Sequence, residues 1–397
     1  MSTRPKIYNE DEHGIKQELV DKDVLETIFR LKQAGHSAYL VGGGVRDLLL
    51  QKTPKDFDIS TSAKPEEIKD LFKRHCLLIG KRFRLAHIRC ANKVLEVSTF
   101  RSGDPEHSAL IVQDNRWGTA EEDVLRRDFT INALFYDPTI HSVLDYVGGY
   151  PDLKEGILRV IGDPVIRFRQ DPVRMIRLFK FQARFGFLVD SKCTKAMTAC
   201  KEEIIKSAPA RILEEMFKML ESGASAPFFK LMHHNDFLEI LFPCFHHFFS
   251  DQHERTAVHY LHALDDLQRK RSRFVDRSVQ LAALVFPILE QECLTLMQDR
   301  QVPLKHSDII NLSYSLLRGI SMSSFAHFPK KIIATTHFIN TLQYRFTPLQ
   351  GPPRYARRLG PHSEIISGLD LLEIRSKVHP ELKEAHHNWK TAIAKGV

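Results

Sequence analysis

The chain has 397 residues, of which 43% are hydrophobic and 27% charged, and it carries a formal charge of +8. That length and composition are those of an ordinary globular protein of two or three domains. A basic balance favours a polyanionic partner through counterion release, although charge alone does not name one.

The sequence holds no run of about 18 uninterrupted apolar residues, which argues against a membrane span. The opening MSTRPKIYNEDEHG lacks the apolar stretch of a signal peptide, so action in the cytoplasm is the expectation. The six cysteines are scattered with no CxxC pair, which disfavours zinc ribbons and thioredoxin-like sites. Reduced, mostly core thiols are expected.

In chain order, residues 1–23 are polar and read as a loosely held extension. Residues 24–34 have helical spacing, and 38–41 form a short apolar strand that runs into Gly42, Gly43 and Gly44. Residues 56–60 alternate with period two, 65–73 return to helix, and 77–79, 87–90 and 94–100 read as strands. Thr119 and Glu122 make a capping box for a helix running to Asp128 or beyond. A glycine turn follows at 145–149 and a linker near 152–156. From about residue 171 onward helical periodicity dominates, punctuated by prolines. The pattern is an α+β head of 24–156 on a mixed sheet, then a helical neck at 157–223 and a helical body and tail at 224–397.

Five signals carry chemistry. The first is LVGGGVRD at 40–47, a strand entering three glycines and then a helix. Gly43 and Gly44 let the backbone approach a phosphate, Arg46 offers a guanidinium to it, and Asp47 follows directly. A glycine trio by itself is equally a plain strand–turn–helix connection. The second is Asp56-Phe57-Asp58: residues i and i+2 of a strand share a face, so both carboxylates point together with Phe57 turned to the core. Two adjacent carboxylates repel unless a cation sits between them, and hard divalent ions such as Mg²⁺ suit that place. The alternative is a solvated acidic strand face. Third, Glu96 on a neighbouring strand is placed either to join the carboxylates or to sit at the surface. Fourth, Arg127, Asp128 and Asn132 stand among apolar residues; Asp128 and Asn132 share a face on a helix and suit a sugar or triphosphate, or else a salt-bridged helix. Fifth, Asp171, Arg174 and Arg177 follow a helix start marked by Pro172, and a carboxylate with arginines can read a base edge.

These pieces, VGGGVRD (41–47), DFD (56–58), RRDFTINAL (126–134), DYVGGYPDLKEGILRVIGDP (145–164) and QDPVRMIR (170–177), resemble in order and spacing the class II tRNA nucleotidyltransferase and bacterial poly(A) polymerase family. The resemblance implies a polymerase-β-like head followed by helical neck, body and tail. It implies that Asp56 and Asp58 hold two Mg²⁺ ions, with Mn²⁺ as a substitute, and that Asp128 is a further active-site carboxylate. It assigns nucleotide contacts to Gly43, Arg46, Arg127, Arg174 and Arg177, and base reading to Asp171 with Arg174. One departure stands: the family usually has Glu-Asp where this chain has Gln170-Asp171.

The family divides by product. Residues 77–88 look like the poly(A) polymerase version of this stretch, and CCA-adding relatives tend to have Gly-Thr where this chain has Arg84-Leu85. Arg354–Arg358 resembles an arginine-bearing segment of poly(A) polymerases. The expectation is AMP transfer from ATP to the 3′ end of single-stranded RNA. The alternatives are CCA addition to tRNA and an inactive RNA-binding homologue. Residues 269–274 and 354–358 join cations to a stackable ring, as an RNA grip or as a solvated face.

Overall fold

The computed structural model describes residues 4–80, 84–90, 93–103, 116–250, 253–271, 274–349 and 363–394. The basic stretches at 81–83, 272–273 and 354–358 lie outside the described residues. The chain divides into two units, Met1–Leu178 with Gly186–Cys200, and Phe179–Phe185 with Lys201–Val397.

The first unit is built on an eight-stranded mixed sheet. Its members are β1 (Lys6–Tyr8), β2 (Ala38–Val41), β3 (Asp58–Thr61), β4 (Cys76–Ile79), β5 (Leu85–Arg89), β6 (Val94–Thr99), β9 (Phe135–Asp137) and β10 (Ser142–Asp145). A small separate ribbon pairs β7 (Arg101–Ser102) with β8 (Arg116–Trp117). The large sheet runs β1-β10-β9-β2-β3-β6-β5-β4, and only β3 and β6 pair in parallel. The helices of this unit are α1 (Glu10–His13), α2 (Lys22–Gln33), α3 (Gly43–Leu49), α4 (Pro65–Phe72), α5 (Ala120–Leu125), α6 (Gly149–Glu155), α7 (Pro164–Gln170), α8 (Val173–Phe185) and α9 (Ser191–Cys200), with α8 crossing the division. A second small pair joins β11 (Ile157–Leu158) to β12 (Leu188–Val189) in parallel.

Four local expectations are corrected. The polar N-terminal extension is not loosely held: Lys6–Tyr8 pairs antiparallel with β10, and Tyr8, Ile15 and Val20 are buried. Few apolar side chains are needed where main-chain pairing supplies the hold. The helix capped by Thr119 stops at Leu125 and does not reach Asp128. The strand expected from Asp56 begins at Asp58, leaving Asp56 and the half-buried Phe57 in the loop before it. The linker expected near 152–156 is the end of α6, whose N-terminal Gly149 approaches Thr130 so closely that a Cβ would lie 2.1 Å from its carbonyl oxygen.

Under the middle of the sheet lies a cluster of Val41, Phe100, Val124, Ala133, Phe135, Leu144 and Ile161. The rings of Phe100 and Phe135 stack at 6.1 Å. Truncating either ring would cost about 3–5 kcal/mol, and register sets Phe135 opposite Val41 and Val41 opposite Asp58, so the cluster shares its face of the sheet with the Asp58 carboxylate.

The second unit is helical throughout its described residues. After the last turns of α8 come α10 (Pro209–Leu220), α11 (Ser225–His234), α12 (Phe237–Leu241), α13 (Pro243–Ser250), α14 (Glu254–Lys270), α15 (Arg277–Arg300), α16 (His306–Ser323), α17 (Lys330–Phe346), α18 (Ser363–Val378) and α19 (Lys383–Ala394). Among the described residues only α15 is long and apolar enough to cross a membrane. Residues 278–289 of it are buried on every side, as befits the central helix of a bundle. The six cysteines are thiols, and four are buried.

Candidate active site

Strand β2 ends where Gly42 takes φ +70°, a left-handed conformation that favours glycine. A Cβ there would sit 3.4 Å from an Arg127 guanidinium nitrogen and 4.0 Å from an Asp58 carboxylate oxygen. The turn thus runs close beside the site groups. Gly43 and Gly44 open α3, a helix of seven residues. A Cβ on Gly44 would meet the Asp56 carbonyl oxygen at 3.4 Å and the Phe57 ring at 3.5 Å. Its smallness seats the loop that carries Asp56. Arg46, also on α3, is buried; its Nε and one terminal nitrogen donate to Asp47 Oδ1 at 2.9 and 2.7 Å, and the other donates to Asn132 Oδ1 at 2.5 Å.

The carboxylates meet across the sheet. Register places Val41 opposite Asp58, Asp58 opposite Glu96, and Glu96 opposite His87. Asp56, Asp58 and Glu96 line one cleft of about 730 Å³. Asp58 and Glu96 also line a second, of about 410 Å³, together with Ser98, Arg101, Arg126 and Arg127. The surrounding protein raises the Asp58 carboxyl above its ordinary value, and the charges of Glu96 and Asp56 add to the rise against the pull of Arg127. Such crowding of like charge is what a divalent cation relieves, so these residues fit the metal that the resemblance implies. No three His, Cys, Asp or Glu side chains among the described residues form a metal cage by themselves. Mg²⁺ ordinarily completes its shell with water and substrate phosphates.

Residues 126–128 are gripped from two sides. Asp123 on α5 is 2% exposed. Its Oδ1 accepts from Arg126 Nε at 3.0 Å and its Oδ2 from Arg127 at 2.9 Å. Arg127 also donates to Ser60 Oγ at 3.2 Å and lies 5.1 Å over the Phe135 ring. From the other side, Arg174 donates to the Arg126 carbonyl at 3.3 Å, and Arg167 to the Arg127 carbonyl at 2.6 Å. Arg177 pairs with Asp128 Oδ2 at 2.9 Å. Burial works to raise the Asp128 carboxyl, but Arg177, the Asn132 amide and the Phe129 N–H outweigh it and hold it below the usual range.

Asp128 and Asn132 do meet, Nδ2 donating to Oδ1 at 3.2 Å. They do so across a turn, not on a helix face: Phe129 bridges to Val160, and 130–132 form a 3-10 turn. Hydrogen bonds therefore run without a break from Asp47 through Arg46 and Asn132 to Asp128, which Arg177 holds in turn.

Asp171 lies half-buried at the junction of α7 and α8. Arg174, expected to offer its guanidinium to a base edge, is buried and donates to the carbonyls of Arg167 (2.9 Å) and Arg126. The Arg167 carbonyl also accepts the Asp171 N–H at 3.2 Å, so the guanidinium takes the second acceptor position of that oxygen. Gln170 is buried and accepts from Arg167 at 2.9 Å. Burial first, and Arg174 next, lower the Arg167 pKa to about 9. Arg84 lies apart from these groups: it is exposed and pairs with Glu66 on α4. Only its neighbour Leu85 lines the smaller cleft.

Sequence reasoning missed Asp123, Arg101, Arg167, Ser60 and Ser98. Asp123 had a local signal, since it precedes two arginines by three and four residues on a helix. Ser60 and Ser98 lie two residues beyond Asp58 and Glu96 on paired strands, hence on the same face, and their hydroxyls are 2.9 Å apart.

Residues 38–159 match the family model described as the poly A polymerase head domain. Residues 186–249 match the one described as the probable RNA and SrmB-binding site of polymerase A. Poly(A) polymerase I of Salmonella typhi is 34% identical over 96% of this chain and 84% of its own length. A CCA-adding enzyme of Lactobacillus helveticus is 38% identical over 49% of this chain and 48% of its own. Among solved structures, the Bacillus stearothermophilus CCA-adding enzyme in complex with CTP superposes with a TM-score of 0.65 at 24% identity, covering 94% of this chain and 81% of that one. A tRNA nucleotidyltransferase complexed with a primer tRNA and an incoming ATP analog gives a TM-score of 0.60 at 21% identity, covering 93% and 98%. The fold is that of these nucleotidyltransferases, and by its sequence the chain belongs to the family of RNA nucleotidyltransferases that comprises the bacterial poly(A) polymerases and the CCA-adding enzymes.

Proposed function

We propose that this enzyme adds AMP from ATP to RNA 3′ ends without a template, making poly(A). The observation that carries the product is the reach of the likeness. Poly(A) polymerase I relatives align over 90–96% of the chain, while CCA-adding relatives align over 49–53%.

The chemistry is a single displacement: the RNA 3′ oxygen forms a bond to the α-phosphorus as the bond to pyrophosphate breaks. Asp56 and Asp58, with Glu96 beside them, would hold Mg²⁺, which when bound lowers the pKa of the 3′-hydroxyl and offsets charge on the departing pyrophosphate. Arg127 lines the cleft next to Asp58 and offers positive charge to the phosphates. Arg46, Asn132 and Asp128 form a bonded floor that keeps Gly43 and the glycine turn in place. Asp171 is the carboxylate offered to the adenine edge, and Arg174, bound to the carbonyls of Arg167 and Arg126, steadies the α7–α8 turn that carries it. In this reading 24–156 is the head, 157–223 the neck, and 224–397, with the matched segment at 186–249, holds single-stranded RNA in the cytoplasm.

CCA addition is the second reading, favoured by 34–38% identity to CCA-adding enzymes over about half the chain. Extension of oligo(A) RNA and of a tRNA lacking its CCA end, each with ATP alone, CTP alone or both, decides between them. Poly(A) synthesis gives long ATP-dependent ladders on oligo(A). A ladder that stops after C-C-A on tRNA, with little extension of oligo(A), overturns the poly(A) assignment.

A further inference from the structure

The smaller cleft has an acidic wall, Asp58 and Glu96, and a basic one, Arg101, Arg126 and Arg127. The basic wall converges on one group. Asp123 Oδ1 accepts from Arg126 Nε at 3.0 Å and from the Arg101 main-chain N–H at 3.3 Å. Its Oδ2 accepts from Arg127 Nε at 3.3 Å and from a terminal nitrogen of the same guanidinium at 2.9 Å. One buried carboxylate thus holds all three residues of the wall.

Local structure fixes that carboxylate in turn. Thr119 Oγ1 and the Glu122 side chain close a capping box at 3.2 and 2.7 Å, which sets the first turn of α5. Gly118 brings that turn against the β7 main chain, where a Cβ would lie 2.6 Å from the Ser102 nitrogen. Burial works to raise the Asp123 carboxyl, but Arg127 and Arg126 more than offset it, so it stays ionised. Both arginines are only partly buried, with side chains 25% and 20% exposed.

We propose that Asp123 is a positioning residue for the nucleotide triphosphate: it touches no substrate, and it sets the Arg126 and Arg127 guanidiniums, with the main chain at Arg101, along the cleft wall that receives the phosphates. The assignment rests on the nucleotidyl-transfer reading of that cleft. A guanidinium held along its Nε edge keeps a fixed plane, and a charged donor fixed in advance binds phosphate without paying for its own ordering.

The test is kinetic and calorimetric, on the full chain. Wild-type incorporation of labelled ATP into RNA tests the underlying reading. Asp123→Asn keeps the shape and removes the charge. It is expected to raise the KM for ATP about tenfold, the size of one lost charged contact. Its kcat should stay within about threefold, because the groups at the reacting bond are untouched. Pyrophosphate binding, followed by titration calorimetry without turnover, should weaken in parallel, and Asp123→Glu should recover part of both losses. An unchanged KM and pyrophosphate affinity in folded Asp123→Asn overturns the proposal, as does a loss confined to kcat. If Asp123→Asn does not fold, Arg126→Lys decides, since it keeps the charge on a partly exposed side chain and loses the Nε contact. A raised KM for ATP then supports the proposal and an unchanged one overturns it. Were wild type to incorporate no ATP, the pyrophosphate titration of wild type against these variants would still test Asp123.

Discussion

Asp58 and Glu96 face the same side of the sheet at one register of the parallel pair β3 and β6. The surrounding protein and the neighbouring charges hold the Asp58 carboxyl above its ordinary value. A cation-holding carboxylate must be ionised, so activity should fall as pH drops through that raised value. Glu96→Gln removes a like charge and should move the acid limb of the kcat/KM profile to lower pH. It should also lower the maximum about ten- to hundredfold, as is usual for a group supporting a metal site. An acid limb that stays in place would separate Glu96 from Asp58.

Asp56→Ala and Asp58→Ala should each lower nucleotide addition about a thousandfold or more while leaving the thermal transition close to that of wild type. Both side chains are solvent-accessible, so the fold does not depend on them. Near-normal turnover by either variant in Mg²⁺ would remove the metal assignment.

Arg177→Met tests the buried pair with Asp128. Leaving that carboxylate buried without its partner should cost about 3 kcal/mol of stability. The Asp128 carboxyl is held low in the folded state, so its contribution is present above the ordinary carboxylate value and is lost as pH falls through the depressed one. Urea titrations of wild type and variant should therefore converge in strong acid.

Base choice should respond to Asp171 and Arg174 differently. Asp171→Ala is expected to reduce the preference for ATP over CTP by about 1–3 kcal/mol, the range of a good bidentate base contact. Arg174→Ala should raise the KM for both nucleotides alike, because its guanidinium binds the carbonyls of Arg126 and Arg167. A change of selectivity in the arginine variant would return base reading to Arg174.

In the helical unit, His379 lies 3.3 Å from Glu290, which also takes Tyr260 and Arg375. The Glu290 contact raises the His379 pKa against the effect of burial. Its stabilisation is complete below the ordinary histidine value and is lost as pH rises through the raised one. The melting temperature of His379→Gln should fall furthest below wild type at pH below the ordinary histidine value and approach it as pH rises through the raised one. A gap that does not change with pH would show packing, not charge, at that position.

Much of the head was legible in residue order. The apolar run at 38–41 and the strand pattern at 94–100 match strands that the structure contains, and the glycines after Val41 match the turn. The meeting of Asp128 with Asn132 was anticipated through the wrong element: a spacing of four also closes a short turn when a bridge such as Phe129–Val160 holds its start. What escaped the sequence was long-range. Arg167, forty residues from the carbonyl it binds, gives no local sign of that contact. Arg174 likewise gives no local sign that it donates to the carbonyls of Arg126 and Arg167. The N-terminal residues looked unstructured because a sheet edge is held by main-chain bonds, which leave no mark on the polarity of the side chains.

That edge strand has a consequence for biosynthesis. On the ribosome Lys6–Tyr8 is made before every other strand of the sheet, yet its register partners Val143–Asp145 are translated last of the sheet's strands. The sheet therefore cannot close in the order of synthesis, and its first strand must wait unpaired while the rest emerges. The acidic run Glu10, Asp11 and Glu12 beside it is suited to that wait, since a charged, solvated segment resists premature pairing with other nascent strands.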